Sequence, residues 1–113
     1  MATNGKQKGK RGELEVAHLM IDAGFDARRG QQFKGTEDSP DVIHDMTGFG
    51  IEVKYVENYS VNQLYTALDK QQEDGPEDED ALLFYRRNNK EWIVVMDAVR
   101  FLAIMKEMYR EQT

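Results

Sequence analysis

Cysteine is absent from the 113 residues, which excludes disulfide staples, thiolate metal ligands and thiol nucleophiles. A reducing cytoplasm, that of a bacterium or of a phage-infected host, is the expected location. No apolar run approaches the ~20 residues needed to span a bilayer. The polar, basic stretch 1–12 has no apolar segment behind it and is not expected to act as a signal peptide. An excess of positive charge is also missing: the formal net charge is −6, an awkward value for a phosphate binder. No internal repeat is present, and the length suits one domain.

The charge that is present is unevenly placed. Glu73, Asp74, Glu77, Asp78, Glu79 and Asp80 carry the whole of the net negative charge, so the rest of the chain is neutral. Basic residues group at Lys6, Lys8, Lys10 and Arg11, at Arg28, Arg29 and Lys34, and at Arg86, Arg87 and Lys90. An asymmetric surface is therefore compatible with the composition. The 40% hydrophobic content is enough for a modest core.

Residues 1–8 lack apolar content and read as a flexible basic arm, leaving 9–113 as the single domain. From Gly9 to Ala23 the pattern is helical. Arg11, Glu15, His18 and Asp22 form a polar stripe, Leu14, Val16, Ala17, Leu19, Met20 and Ile21 fill the remainder, and Gly24 is a stop signal. Residues 25–28, 41–46, 50–56, 81–85 and 92–96 read as strands. Ser60 with Gln63 is a capping-box pattern, opening a helix with the stripe Val61, Leu64, Tyr65 and Leu68. Gly75-Pro76 ends it. Asp97 can cap a last helix whose buried face holds Ala98, Phe101, Leu102, Met105 and Tyr109. The order α-β-β-β-α-β-β-α predicts an α/β fold with a central mixed β-sheet flanked by helices.

The chemistry concentrates around residues 41–54. Glu52 and Lys54 are two apart on one strand and share a face, while Ile51, Val53 and Tyr55 take the other. A turn near Thr47-Gly48 would pair the two strands as a hairpin and set Asp41 across from Lys54. Two carboxylates brought together repel unless a cation lies between them. Mg²⁺ accepts all-oxygen ligands and keeps water and phosphate oxygens in its shell. It polarises phosphoryl oxygens and acidifies water, and a neighbouring lysine can neutralise developing charge. The pattern also occurs as an ordinary solvated strand face. Glu13 shares a helix face with Val16, Ala17 and Met20 and leans toward the sheet, where it is either a further acid of the site or a helix-dipole partner.

The series Lys8-Gly9, Glu13, Gly24-Phe25, Arg29, Pro40-Asp41 and Glu52-Val53-Lys54 resembles the PD-(D/E)XK nucleases. Within them it resembles the archaeal-type Holliday junction resolvases and their small phage and bacterial relatives, over roughly residues 8 to 105. Gly30-Gln31-Gln32-Phe33, Arg86-Arg87-Asn88 and Trp92 add to the likeness. The resemblance implies a restriction-endonuclease-like core, a need for Mg²⁺ (or Mn²⁺), and a homodimer whose two sites cut opposed strands of a four-way junction. It implies Asp41 and Glu52 as metal ligands with the Val53 carbonyl, Lys54 as the catalytic lysine, and Glu13 as the acid orienting water on the metal. The acidic stretch 73–80 departs from the basic character of a junction binder.

Other residues carry open alternatives. Arg29, Gln31, Gln32, Lys34, Arg86 and Arg87 are candidate DNA contacts, each with a solvated or loop-shaping alternative. Ser39 reads as a cap before Pro40. His18 reads as a surface residue, His44 as structural, Glu15 as solvated, and Trp92 and Phe101 as core. The functional reading is a metal-dependent DNA endonuclease acting on Holliday junctions or other branched DNA. Its alternatives are the same chemistry on nicked, flapped or duplex DNA, and a non-catalytic acidic module or DNA mimic.

Overall fold

Five strands and three helices, in the order α-β-β-β-α-β-β-α, are seen in a computed structural model that describes residues 5–30 and 41–111. Helix α1 (Gly5–Asp22) starts four residues earlier than its apolar pattern suggests, so residues 5–8 belong to the helix rather than to an arm. Gly24, at φ +104°, follows its end in a conformation that costs a side-chain-bearing residue strain. Strands β1 (Ala27–Arg29), β2 (Val42–His44) and β3 (Phe49–Tyr55) lead to helix α2 (Val61–Asp74). Strands β4 (Asp80–Arg86) and β5 (Ile93–Val95) then precede helix α3 (Ala98–Glu111).

The hairpin expected between β2 and β3 does not form. Strand β2 pairs antiparallel with β1, from Ala27–His44 to Arg29–Val42. Strand β3 instead pairs in parallel with β4 along its whole length, and β4 pairs antiparallel with β5. The turn signal at Thr47-Gly48 is real, with Gly48 at φ +94°. The chain there turns away from β2, and the Gly48 carbonyl accepts the Asp80 N–H at the start of β4. Local turn chemistry thus predicts a bend, and the long-range parallel pair decides its direction. The sheet is mixed and lies between helices, as the element order implies, but its backbone ladder is in two pieces.

Helix α1 covers one face. Val16, Ala17 and Met20 pack with Val42, Ile51, Val53 and Leu82 in the buried core. Each large apolar side chain sealed there contributes roughly 1.5–3 kcal/mol relative to exposure. Gly12 lets the helix approach β3 closely: a Cβ at this position would come within 2.9 Å of the Tyr55 Cβ. Leu14, Leu19 and Ile21 lie on the exposed side of α1. Helix α2 lies on the opposite face. Ser60 accepts the Gln63 N–H and Gln63 accepts the Ser60 N–H, completing the capping box. Gln72 then ties the far end of α2 to the Glu79 carbonyl and the Ala81 N–H. Leu64 and Leu68 are half-buried, whereas Val61 and Tyr65 of the expected stripe are exposed.

Helix α3 departs most from expectation. Asp97 caps it through the Arg100 N–H, yet no residue on it is buried. Phe101 is 44% exposed, Leu102 63% and Tyr109 66%. The molecule is correspondingly long, 55 × 28 × 27 Å. No described helix is long and apolar enough to cross a membrane.

Candidate active site

The period-two geometry of β3 puts Gly50, Glu52 and Lys54 on the face away from α1, while Ile51, Val53 and Tyr55 are buried against it. Lys54 Nζ lies 3.3 Å from Glu52 Oε1. Asp41 arrives by a different route from the one expected. It stands just before β2, and its Oδ2 accepts the Val53 N–H at 2.9 Å. A backbone donor of the outer edge of β3 therefore holds Asp41, in place of a cross-strand register with Lys54. The carboxylates of Asp41 and Glu52 face the same space.

Electrostatics record how tightly the acids are grouped. The Asp41 carboxyl is pushed up to about 7, first by burial and next by the charge of Glu52. Glu13 pushes in the same direction, against the Val53 N–H and Lys54. Burial pulls the Lys54 ammonium down, but the charge and hydrogen bond of Glu52, with Tyr59 and Asp41, leave it above its ordinary value. Lys54 is thus held protonated beside the raised Asp41 carboxyl.

Glu13 reaches this group from α1. Its side chain is only 12% exposed, and its Oε1 accepts from Arg29 Nε at 2.8 Å. It is an acid beside Asp41 and not merely a helix-end charge. Arg29 is bonded to Glu13 through Nε and is therefore not simply a solvated strand-end residue.

An open cleft of about 1060 Å³ contains the site, with Asp41, Glu52 and Lys54 on one wall and Lys70 and Gln71 of α2 on the other. Asp74 and Glu79 line its far end, so part of the acidic run belongs to the cleft. Lys70 carried no sequence signal beyond its place on an amphipathic helix. Among the described residues, no three acidic, histidine or cysteine side chains form a ready-made metal cage. The Asp41 and Glu52 carboxylates that line the cleft are hard oxygen donors, which suits a cation that keeps much of its own water.

The remaining candidates divide clearly. Gln31, Gln32, Lys34, Ser39 and Pro40 lie outside the described residues. Arg86 donates to Glu15 at 2.6 Å and covers the rings of Tyr55 and Trp92. Trp92 Nε1 donates to the same Glu15 oxygen at 3.0 Å. Glu15, expected to be solvated, is therefore the acceptor that joins α1 to β4 and to the start of β5. Arg87 and Lys90 are exposed, as are Arg28 and His18. His44 accepts the Met46 N–H through Nδ1 and so shapes the bend after β2. Glu57, which no motif marked, accepts from Lys8 at 2.7 Å and from the Asn88 N–H. These bonds, led by that from Lys8, hold its carboxyl below the usual range.

No family model matches the chain, and no curated protein matches it. Among solved structures, it is similar to Hjc, a Holliday junction resolvase of the archaeal hyperthermophile Archaeoglobus fulgidus. The TM-score is 0.51 with 21% identity, covering 79% of this chain and 72% of that one. The chain shares the fold of that structure.

Proposed function

We propose that this protein is a metal-dependent endonuclease that hydrolyses phosphodiester bonds in DNA, with branched DNA such as a Holliday junction as its substrate. The observation that carries the reading is the meeting of Asp41, Glu52 and Lys54 in one open cleft, with Glu13 near enough to Asp41 for its charge to act on it. The solved structure with the same fold is named a Holliday junction resolvase, and this supports the choice of substrate.

Asp41, Glu52 and the Val53 carbonyl would hold Mg²⁺ or Mn²⁺. When bound, such an ion polarises a phosphoryl oxygen and acidifies water. The chain's own groups do the rest. The Val53 N–H fixes one oxygen of Asp41 and leaves the other directed at the cleft. Lys54, protonated and partly desolvated, binds a non-bridging phosphate oxygen and stabilises charge as water adds to phosphorus and the P–O bond breaks. Glu13, anchored by Arg29, orients the attacking water and takes up its proton. Lys70, on the far wall, is placed to contact the phosphate backbone.

A resolvase must cut two opposed strands, which calls for a dimer, and the uncovered apolar face of α3 supports one. The test is cleavage of a labelled four-way junction beside a matched linear duplex, with Mg²⁺, with EDTA, and with Lys54→Ala. Metal-dependent cutting of the junction alone, lost by ~10²-fold or more in the variant, is the expected result. Cutting of both DNAs would retain the chemistry and remove the branched substrate. Failure to cut either DNA with Mg²⁺ or Mn²⁺ would leave the acidic binding module as the reading to pursue.

A further inference from the structure

Beyond Lys54 the site's face continues onto two tyrosines. In the parallel register Lys54 stands beside Tyr85, so both side chains point to the same side of the sheet. Tyr59, from the loop between β3 and α2, stacks on Tyr85 with ring centroids 5.8 Å apart and planes 26° from parallel. Tyr59 is near enough to the Lys54 ammonium to act on it electrostatically. The preceding residue, Asn58, sits at φ +44°, and this left-handed turn brings the chain back over β4.

Tyr55 shows how a purely structural tyrosine is treated in this molecule. It is buried, its hydroxyl donates to Asn88 and accepts from Arg11, and Lys8, Arg11 and Arg86 surround its ring. Tyr59 and Tyr85 differ on each point. Both rings are half-buried, and neither hydroxyl bonds to a described residue. The pair is a half-buried aromatic stack at the carboxyl ends of two parallel strands, the end where ligands of open α/β sheets gather.

We propose that Tyr59 and Tyr85 form a stacking platform for one nucleobase of the DNA, turned out of its helical stack beside the phosphate held at Lys54. The inference rests on the nuclease reading and deepens it. A base that is already unstacked, as at a branch point, reaches the platform without the cost of opening a duplex. Stacking on an aromatic ring is worth about 1–3 kcal/mol per base and is tolerant of sequence. The platform thus selects for distorted DNA and not for a base sequence.

The test measures binding without cutting, using the Asp41→Asn protein in EDTA with a four-way junction and a matched duplex. Adding Tyr59→Leu should weaken junction binding by roughly 5- to 150-fold, leave duplex binding unchanged, and be rescued by Tyr59→Phe. Independently, 5-iodouracil at the branch point should photocrosslink to the peptide containing Tyr59 in the protein with both tyrosines intact. This arm does not depend on how well the leucine variant folds. Equal weakening on both DNAs, no weakening, or a crosslink elsewhere would overturn the platform while leaving the nuclease standing. Failure of the parent protein to bind either DNA would overturn both.

Discussion

At the scale of single residues, Asp41 is the most informative position, because the same environment governs its chemistry and its cost. A carboxyl raised from 3.8 to about 7 by burial and by Glu52 is charged in the unfolded chain at pH values where the fold keeps it protonated. Its stabilising effect is therefore complete below pH 3.8. It is lost progressively as the pH rises toward 7, and above that the folded protein carries the full penalty of a crowded, partly desolvated carboxylate. Asp41→Asn keeps an oxygen for the Val53 N–H and removes the charge. In EDTA it should raise stability on the order of 2–4 kcal/mol at pH 8, with the gain shrinking toward pH 4. Urea unfolding across that range checks it, and a variant less stable at pH 8 would refute the assignment. Added Mg²⁺ should stabilise the unsubstituted protein more than the variant, because the repelling pair is then bridged.

Much of this site could be read in the sequence. Strand periodicity alone places Glu52 with Lys54, and helix periodicity turns Glu13 inward, whatever else the chain does. The placement of Asp41 could not be read the same way. It depends on a bond to the Val53 backbone N–H, and backbone donors carry no residue signature. The Arg29–Glu13 and Arg86–Glu15 pairs were hidden for a related reason, since an ion pair across 16 or 71 residues leaves no mark on local pattern.

At the scale of elements, the strands and helices were legible and their partners were not. Thr47-Gly48 signals a turn, but only the parallel pairing of β3 with β4 shows that the turn leads away from β2. What fixes α1 is likewise non-local. One oxygen of Glu15 accepts from both the Arg86 guanidinium and the Trp92 indole, tying the helix to β4 and to the residue preceding β5. Glu15→Ala would leave a largely covered guanidinium and an indole N–H without their acceptor. It should cost about 2–3 kcal/mol in denaturant unfolding. Glu15 lies away from the catalytic cleft, so kcat of the still-folded enzyme should be unchanged. A loss of kcat at full stability would move Glu15 into the site.

At the scale of the whole molecule, the element left uncovered by the single chain is α3. Its amphipathic sequence predicts a buried face, and the single chain buries no residue of it. Val99, Leu102 and Tyr109 fall within one stripe of the helix and are all more than 60% exposed. Ile93 and Val94, on the outer strand β5, are about half exposed beside an unpaired sheet edge. A helix of this length spans only ~21 Å. A stable interface needs about 800 Å² from each partner, so α3 and β5 together make the more credible patch. If a second copy covers them, light scattering should give a dimer mass that Leu102→Asp converts to a monomer. The discriminating feature is the monomer's own stability. Leu102 packs against little in the single chain, so the charge should leave monomer unfolding within about 0.5 kcal/mol while abolishing paired cuts on a junction. Single nicks by the monomeric variant would then assign the chemistry to one chain and resolution to two. A protein that is monomeric at every concentration and still makes paired cuts would retire the dimer.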